Sequence, residues 1–126
     1  MAIYGIGIDL VKLDRHQKIL SRWGNRFEKR VFTNFESTTC ATKKDPAACL
    51  AMRFAAKEAF VKALGTGMRA PVRWLDIEVR NDKLGKPEIF LSERALCFCQ
   101  EIGIRGWHLS LTDDGRYGAA VVVVES

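Results

Sequence analysis

Apolar residues and glycines share residues 3–11, where Ile3, Ile6 and Ile8 stand around Gly5 and Gly7; this reads as a strand with a close backbone approach or a bulge. Residues 14–23 read as a helix, and Gly24-Asn25 is a stop signal. Residues 26–35 read as a second helix, followed by a polar stretch that ends near Asp45-Pro46. Asp45 suits the cap and Pro46 the first turn of a long helix over residues 46–64, which Gly65-Thr66-Gly67 closes. Residues 74–80 alternate as a strand, residues 81–86 turn, and residues 87–91 return as a second strand. Ser92 caps a helix to about residue 102, with Gly103 after its end, and residues 108–111 and 117–124 form a last hairpin around Asp113-Asp114-Gly115. Strands joined mainly by hairpins, with helices between the pairs, predict an α+β fold. Its sheet is mostly antiparallel and packed with helices, including one long central helix.

The chain has 126 residues, which predicts one domain over residues 1–126 with a real core. A hydrophobic share of 48% with 28% charged residues indicates a soluble globular protein. The longest apolar run, residues 119–124, is too short to span a bilayer, so no membrane partner is expected. No Lys/Arg-rich start leads into a small-residue cleavage site, so the expected location is the cytoplasm. Cys40, Cys49, Cys97 and Cys99 show neither C-x-x-C spacing nor neighbouring histidines. That argues against zinc and for reduced, partly buried thiols, with a structural disulfide as the lesser alternative.

A net charge of +5 favours anionic partners, and residues 12–30 concentrate it. Arg15, Lys18, Arg22, Arg26 and Lys29 are spaced by three or four, so a helix gathers them on one stripe. Such a stripe is a solvated face or a docking surface for an acidic protein or a nucleic acid. Aromatics are not interleaved with the cations as on a single-strand stacking platform, and Trp23 and Phe27 are expected to face the core.

The candidate chemistry lies in two carboxylates placed in apolar settings. Asp9 follows the glycine-punctuated strand, and Glu58 sits within the helical run that ends at Gly67. Carboxylates in such places are paired, protonated or metal-bound. Brought together, they supply the hard oxygen ligands that Mg²⁺ takes beside a phosphate. Glu58, Val61, Lys62 and Gly65 share a helical face with Phe54. Glu58 and Lys62 are then either a surface pair worth a few tenths of a kcal/mol or part of a metal and phosphate constellation; the N–H groups of Gly65-Thr66-Gly67 complete the latter.

Gly5-Ile-Gly-Ile-Asp9-Leu-Val11 and Phe54-Ala-Ala-Lys57-Glu58-Ala-Phe-Val-Lys62-Ala-Leu-Gly-Thr-Gly67 resemble the two signature motifs of the bacterial holo-acyl-carrier-protein synthases, the short class of 4′-phosphopantetheinyl transferases. Trp74-Leu-Asp-Ile-Glu-Val79, Gly85-Lys86-Pro87 and His108-Leu-Ser110-Leu-Thr112 follow in the family's order, so the resemblance spans residues 3–124. It implies the 4′-phosphopantetheinyl transferase-like fold. It also implies transfer of the 4′-phosphopantetheine arm of coenzyme A to a serine of an apo acyl carrier protein, releasing adenosine 3′,5′-bisphosphate, in support of fatty acid biosynthesis. By the same resemblance Asp9 and Glu58 hold Mg²⁺, with Mn²⁺ as a substitute, and Glu58 and Lys62 act in catalysis. Lys62, Gly65, Gly67, Gly85, Lys86, Pro87, His108 and Ser110 bind coenzyme A. The resemblance further implies a homotrimer with active sites between subunits, and docking of the acidic carrier on Arg15, Arg22 and Arg26. No nucleic acid is then expected as a partner. The proton acceptor for the serine is Glu58 or a metal-bound water. Asp113 departs from the family, which often has histidine there, and an anion at that place repels phosphate. The competing reading is a non-catalytic module that binds acidic proteins or RNA through the basic stripe; it accounts for the charge but not for Asp9 or Glu58.

Overall fold

A computed structural model describes residues 2–126. The elements run β1 (Ile3–Lys12), α1 (Leu13–Val31), α2 (Asn34–Ala41), α3 (Pro46–Leu64), a 3-10 turn (Trp74–Asp76), β2 (Ile77–Asn81), β3 (Pro87–Leu91), α4 (Glu93–Glu101), β4 (Gly106–Asp113) and β5 (Tyr117–Glu125). All strand pairing is antiparallel: one sheet has the order β1-β5-β4, and β2 and β3 form a separate hairpin. The expected α+β architecture is therefore present, with two sheets in place of one. Among the described residues no helix is long and apolar enough to cross a membrane.

The long helix begins and ends where its capping residues require. Asp45 accepts the Ala48 N–H at 3.1 Å, Pro46 occupies the first turn, and Gly65 closes the helix in the left-handed region at φ 79°. Between these ends α3 is apolar on nearly all sides. Ala51, Ala55, Ala56, Ala59 and Phe60 are completely buried, and they meet Val122 and Val124 of β5 in the main core.

Strand β1 lies on α3 with almost no side chain between the two backbones. A Cβ at Gly5 would fall on the carbonyl oxygen of Ala63, and one at Gly7 on that of Ala59, 2.7 Å from the Ala63 nitrogen. Neither obstacle is a flexible side-chain end, so only glycine fits at either position.

Gly24, expected as a helix stop, does interrupt helical geometry at φ 57° and ψ −141°, and α1 consists of helix on both sides of this kink. Three other sequence expectations are corrected. The helix expected over residues 26–35 stops at Val31, and residues 34–41, expected as the end of that helix and the start of the polar stretch, form α2. Thr33 and Glu36 build a capping box there: Thr33 Oγ1 accepts the Glu36 N–H at 3.2 Å, and Glu36 Oε1 accepts the Thr33 N–H at 3.0 Å. Trp23, expected in the core, is 57% exposed, whereas Phe27 does pack beside Phe32. Cys40 and Cys49, expected as thiols, form a disulfide, because the loop after α2 folds the end of that helix onto the start of α3. Cys97 and Cys99 are free.

Substituting Gly7 by alanine forces the strand off the helix. The overpacking costs about 3 kcal/mol, and the expected outcome is a melting temperature lower by roughly 10 °C. Differential scanning calorimetry measures it, and an unchanged melting temperature contradicts the close approach.

Candidate active site

In the register of β1 on β5, Gly5, Gly7 and Asp9 pair with Val124, Val122 and Ala120, so all three face α3. The strand that needs glycine at its first two inward positions thus presents a carboxylate at the third. There Lys62 of α3 reaches it, donating to Asp9 Oδ1 at 3.1 Å and to the Ile8 carbonyl at 3.0 Å. The Lys62 side chain is 52% exposed and that of Asp9 15%. An ion pair so open to water is worth about 1 kcal/mol or less, so the ammonium can transfer to an arriving anion at small cost.

Glu58 stands one helical turn before Lys62 and is half-buried. Burial pushes its carboxyl above the ordinary 4.5, the charge of Asp9 pushes the same way, and Lys62 opposes both. Of the two readings left by the spacing, the simple Glu58–Lys62 surface pair is not formed; the lysine bridges to the strand instead. Asp9, Glu58 and Lys62 therefore come together, and the open turn of Gly65, Thr66 and Gly67 follows directly. Thr66 Oγ1 donates to the Gly67 carbonyl at 2.9 Å. Among the described residues no three metal-capable side chains converge. Two crowded carboxylates nonetheless match the donor set of Mg²⁺, which keeps several waters and takes phosphate oxygens from its substrate. A cation held there would offset the burial and the Asp9 charge that raise the Glu58 carboxyl.

The other predicted residues form a separate group. Lys86, Pro87 and His108 line a cleft of about 170 Å³ with Ile89 and Trp107, between β3 and β4. Gly85 sits in the hairpin turn, whose shape Asp82 holds by accepting the Leu84 and Lys86 N–H groups at 2.8 and 2.9 Å. His108 and Ser110 project from the sheet face turned away from α3, and His108 Nε2 lies 3.1 Å from Glu125 Oε2. Within one chain they are two strands from Asp9 and on the opposite face, and among the described residues no hydrogen bond or ion pair links the two groups. Asp113 accepts the Gly115 N–H at 3.0 Å and so serves the last turn. Arg15, Arg22 and Arg26 are all exposed on α1, and the Arg22 guanidinium lies 5.4 Å from the ring centre of Trp23.

Three buried polar residues around this site carry no expectation from the sequence. Lys57, next to Glu58, is completely buried against Glu36. Arg53 donates to Asn81 Oδ1 at 3.0 Å and to Cys49 Sγ at 3.1 Å, tying α3 to the β2–β3 hairpin. His16 lies edge-on to Phe54, with ring centres 4.6 Å apart. Burial holds its imidazole below the usual value, while the charge of Asp9 acts in the opposite direction. A charge inside an apolar run was the available signal for Lys57 and Arg53, the same one that identified Glu58.

The chain is similar to known proteins. The sequence model of the 4′-phosphopantetheinyl transferase superfamily matches residues 5–122. A holo-[acyl-carrier-protein] synthase of Trichlorobacter lovleyi is 48% identical over 124 residues, with 98% of each chain covered. A crystal structure of holo-[acyl-carrier-protein] synthase from Neisseria meningitidis superposes with a TM-score of 0.95 at 40% identity, covering 99% of this chain and 100% of that one. A holo-(acyl-carrier-protein) synthase structure from Bacillus anthracis, in complex with CoA (3′,5′-ADP), has a TM-score of 0.81 at 39% identity and covers 98% and 97%.

The raised carboxyl of Glu58 has a measurable consequence. Between the ordinary carboxylate value and the raised one, the folded chain holds more protons than the unfolded chain, so stability falls as pH climbs through that window. In metal-free buffer Glu58→Gln is expected to melt higher than the parent above the window and to lose the advantage below it. Calorimetry as a function of pH checks this, and an equal gain at all pH values contradicts it.

Proposed function

The chain belongs to the 4′-phosphopantetheinyl transferase superfamily, among its holo-[acyl-carrier-protein] synthases, and from that membership we propose that it transfers the 4′-phosphopantetheine arm of coenzyme A to a serine of an apo acyl carrier protein. The observation that carries this reading is the meeting of Asp9, Glu58 and Lys62 at the glycine-ended turn of α3. In the transfer, the serine oxygen bonds to the phosphorus that bears the arm. The bond from that phosphorus to adenosine 3′,5′-bisphosphate breaks, and its electron pair leaves with the nucleotide. Asp9 and Glu58 would hold Mg²⁺ or Mn²⁺, which when bound places positive charge on the pyrophosphate oxygens. Lys62 leaves Asp9 for the transferring phosphoryl group, adding charge where it develops. Glu58, or a water it holds, takes the serine proton. The N–H groups of Thr66 and Gly67 face phosphate oxygens at the turn that Gly65 shapes, its own N–H closing α3 on the Val61 and Lys62 carbonyls, while Gly85, Lys86, Pro87, His108 and Ser110 hold the nucleotide end. Arg15, Arg22 and Arg26 receive the acidic carrier. The reading sets the protein in the cytoplasm, in fatty acid biosynthesis.

One chain holds the two groups of residues apart, and this supports a site completed by a second copy. Ile6, Ile8 and Leu10 of β1 are 60%, 64% and 67% exposed. They lie beside Val121 and Val123 on the face that bears His108 and Ser110. A contiguous apolar face of this kind marks an association surface. On this reading the assembly is a homotrimer whose neighbouring subunits share each active site.

The deciding assay incubates an apo acyl carrier protein with this protein, coenzyme A and Mg²⁺, and weighs the carrier by mass spectrometry. The expected outcome is a gain of one phosphopantetheine, abolished by EDTA and lowered about a hundredfold in rate by Asp9→Ala or Glu58→Ala, roughly 3 kcal/mol of barrier. No gain with several carriers sinks the reading.

Light scattering tests the assembly. The parent is expected at three times the monomer mass at micromolar concentration, and Ile8→Glu is expected to shift it to monomer and to remove transfer together. A fully active monomer contradicts the shared site.

A further inference from the structure

Lys57 and Glu36 form an ion pair with both side chains at 0% exposure. The ammonium donates three hydrogen bonds, to the Val31 carbonyl at 2.6 Å, to Glu36 Oε1 at 2.7 Å and to the Trp74 carbonyl at 2.9 Å. Glu36 Oε1 also accepts the Thr33 N–H, and Oε2 accepts the Val79 N–H at 2.8 Å. One pair thereby joins the end of α1, the first turn of α2, the middle of α3, the 3-10 turn and β2. Stability alone does not explain it, because well-packed apolar residues commonly replace a buried ion pair without loss.

The buried surface of α3 mixes Ala51, Ala55, Ala56, Ala59 and Ala63 with Leu50, Phe60, Val61 and Leu64. Apolar packing is non-directional, so by itself it opposes turning or sliding of the helix only through lost contact. The three bonds of Lys57 are directional and resist both movements. Successive helical residues point roughly 100° apart, so pinning Lys57 toward α1 and α2 aims the next side chain, Glu58, around the helix toward β1 and Asp9. We propose that the Glu36–Lys57 pair is the positioning device of the site, setting the rotation of α3 that brings Glu58 to Asp9. This rests on the reading of Asp9 and Glu58 as the metal-holding pair. Neither Glu36 nor Lys57 touches substrate; both act through Glu58.

The test compares the parent with Glu36→Gln, Lys57→Met and the double variant, which is neutral and nearly isosteric. Three quantities are read: cooperative melting, Mn²⁺ binding in the presence of coenzyme A by electron paramagnetic resonance of the free ion, and transfer kinetics. The double variant is expected to fold. Its Mn²⁺ dissociation constant should rise and its kcat fall, each about tenfold, while the Michaelis constant for the carrier stays within roughly twofold. A folded double variant with parental Mn²⁺ binding and kcat overturns the proposal. Should the double variant fail to melt cooperatively, Glu36→Gln carries the same comparison, and parental values there overturn it equally. A parent that neither binds Mn²⁺ with coenzyme A nor transfers the arm refutes the function itself, and the positioning role falls with it. A parent that does both beside unaltered variants refutes the positioning role alone.

Discussion

The carbonyl oxygens of Ala59 and Ala63 lie where β1 would otherwise place side chains, so the strand and the central helix approach as closely as their backbones permit. The rest of the site depends on that approach. A strand held one methyl group farther out would carry Asp9 away from Lys62, whose ammonium now reaches both the Asp9 carboxylate and the Ile8 carbonyl. It would also lower the Asp9 repulsion that adds to burial in raising the Glu58 carboxyl. The glycines are thus site residues in effect, although they carry no chemistry. They convert the alternation of one strand into a fixed distance between a carboxylate on a sheet and a carboxylate on a helix.

Much of this was legible in the sequence where a local rule governs the outcome. Asp45, Pro46 and Gly65 bounded α3 because capping depends on neighbours within one turn. The Asp113-Asp114-Gly115 turn likewise identified the last hairpin. Gly24 also interrupts helical geometry, with helix on either side of it. Local rules were misread farther along. Thr33 and Glu36 were a capping box in plain view, at the point where the expected helix was taken to give way to polar chain. The disulfide had no local signature at all, since Cys40 and Cys49 meet only once the helix–loop–helix geometry exists.

Within the site, spacing revealed which face a residue occupies but not its depth. Lys57 and Lys62 stand in one helical run and look alike in sequence. In the fold one is fully buried with three hydrogen bonds, and the other is half in water with a carboxylate it can leave. Depth comes from what packs over each face, and that is a property of α1, α2 and β1 rather than of α3. The two lysines consequently divide the labour of one helix. The buried one resists movement, and the exposed one is free to follow charge.

The same division extends to the whole molecule. On the inner face of the sheet, glycines and alanines bring charged groups together at a distance set by backbone contact. On the outer face, Ile6, Ile8 and Leu10 leave apolar surface uncovered beside His108 and Ser110. A single chain that ended its folding there would keep its two groups of site residues apart and an apolar strip in water. On the proposed reading, association through that strip removes both faults at once, since the surface that drives it carries the residues that the inner face lacks. On the proposed reading, catalysis and assembly are therefore coupled by sheet geometry. The alternation that sends Asp9 inward sends Ile8 and Leu10 outward, and no one-residue slip of β1 could preserve one without losing the other.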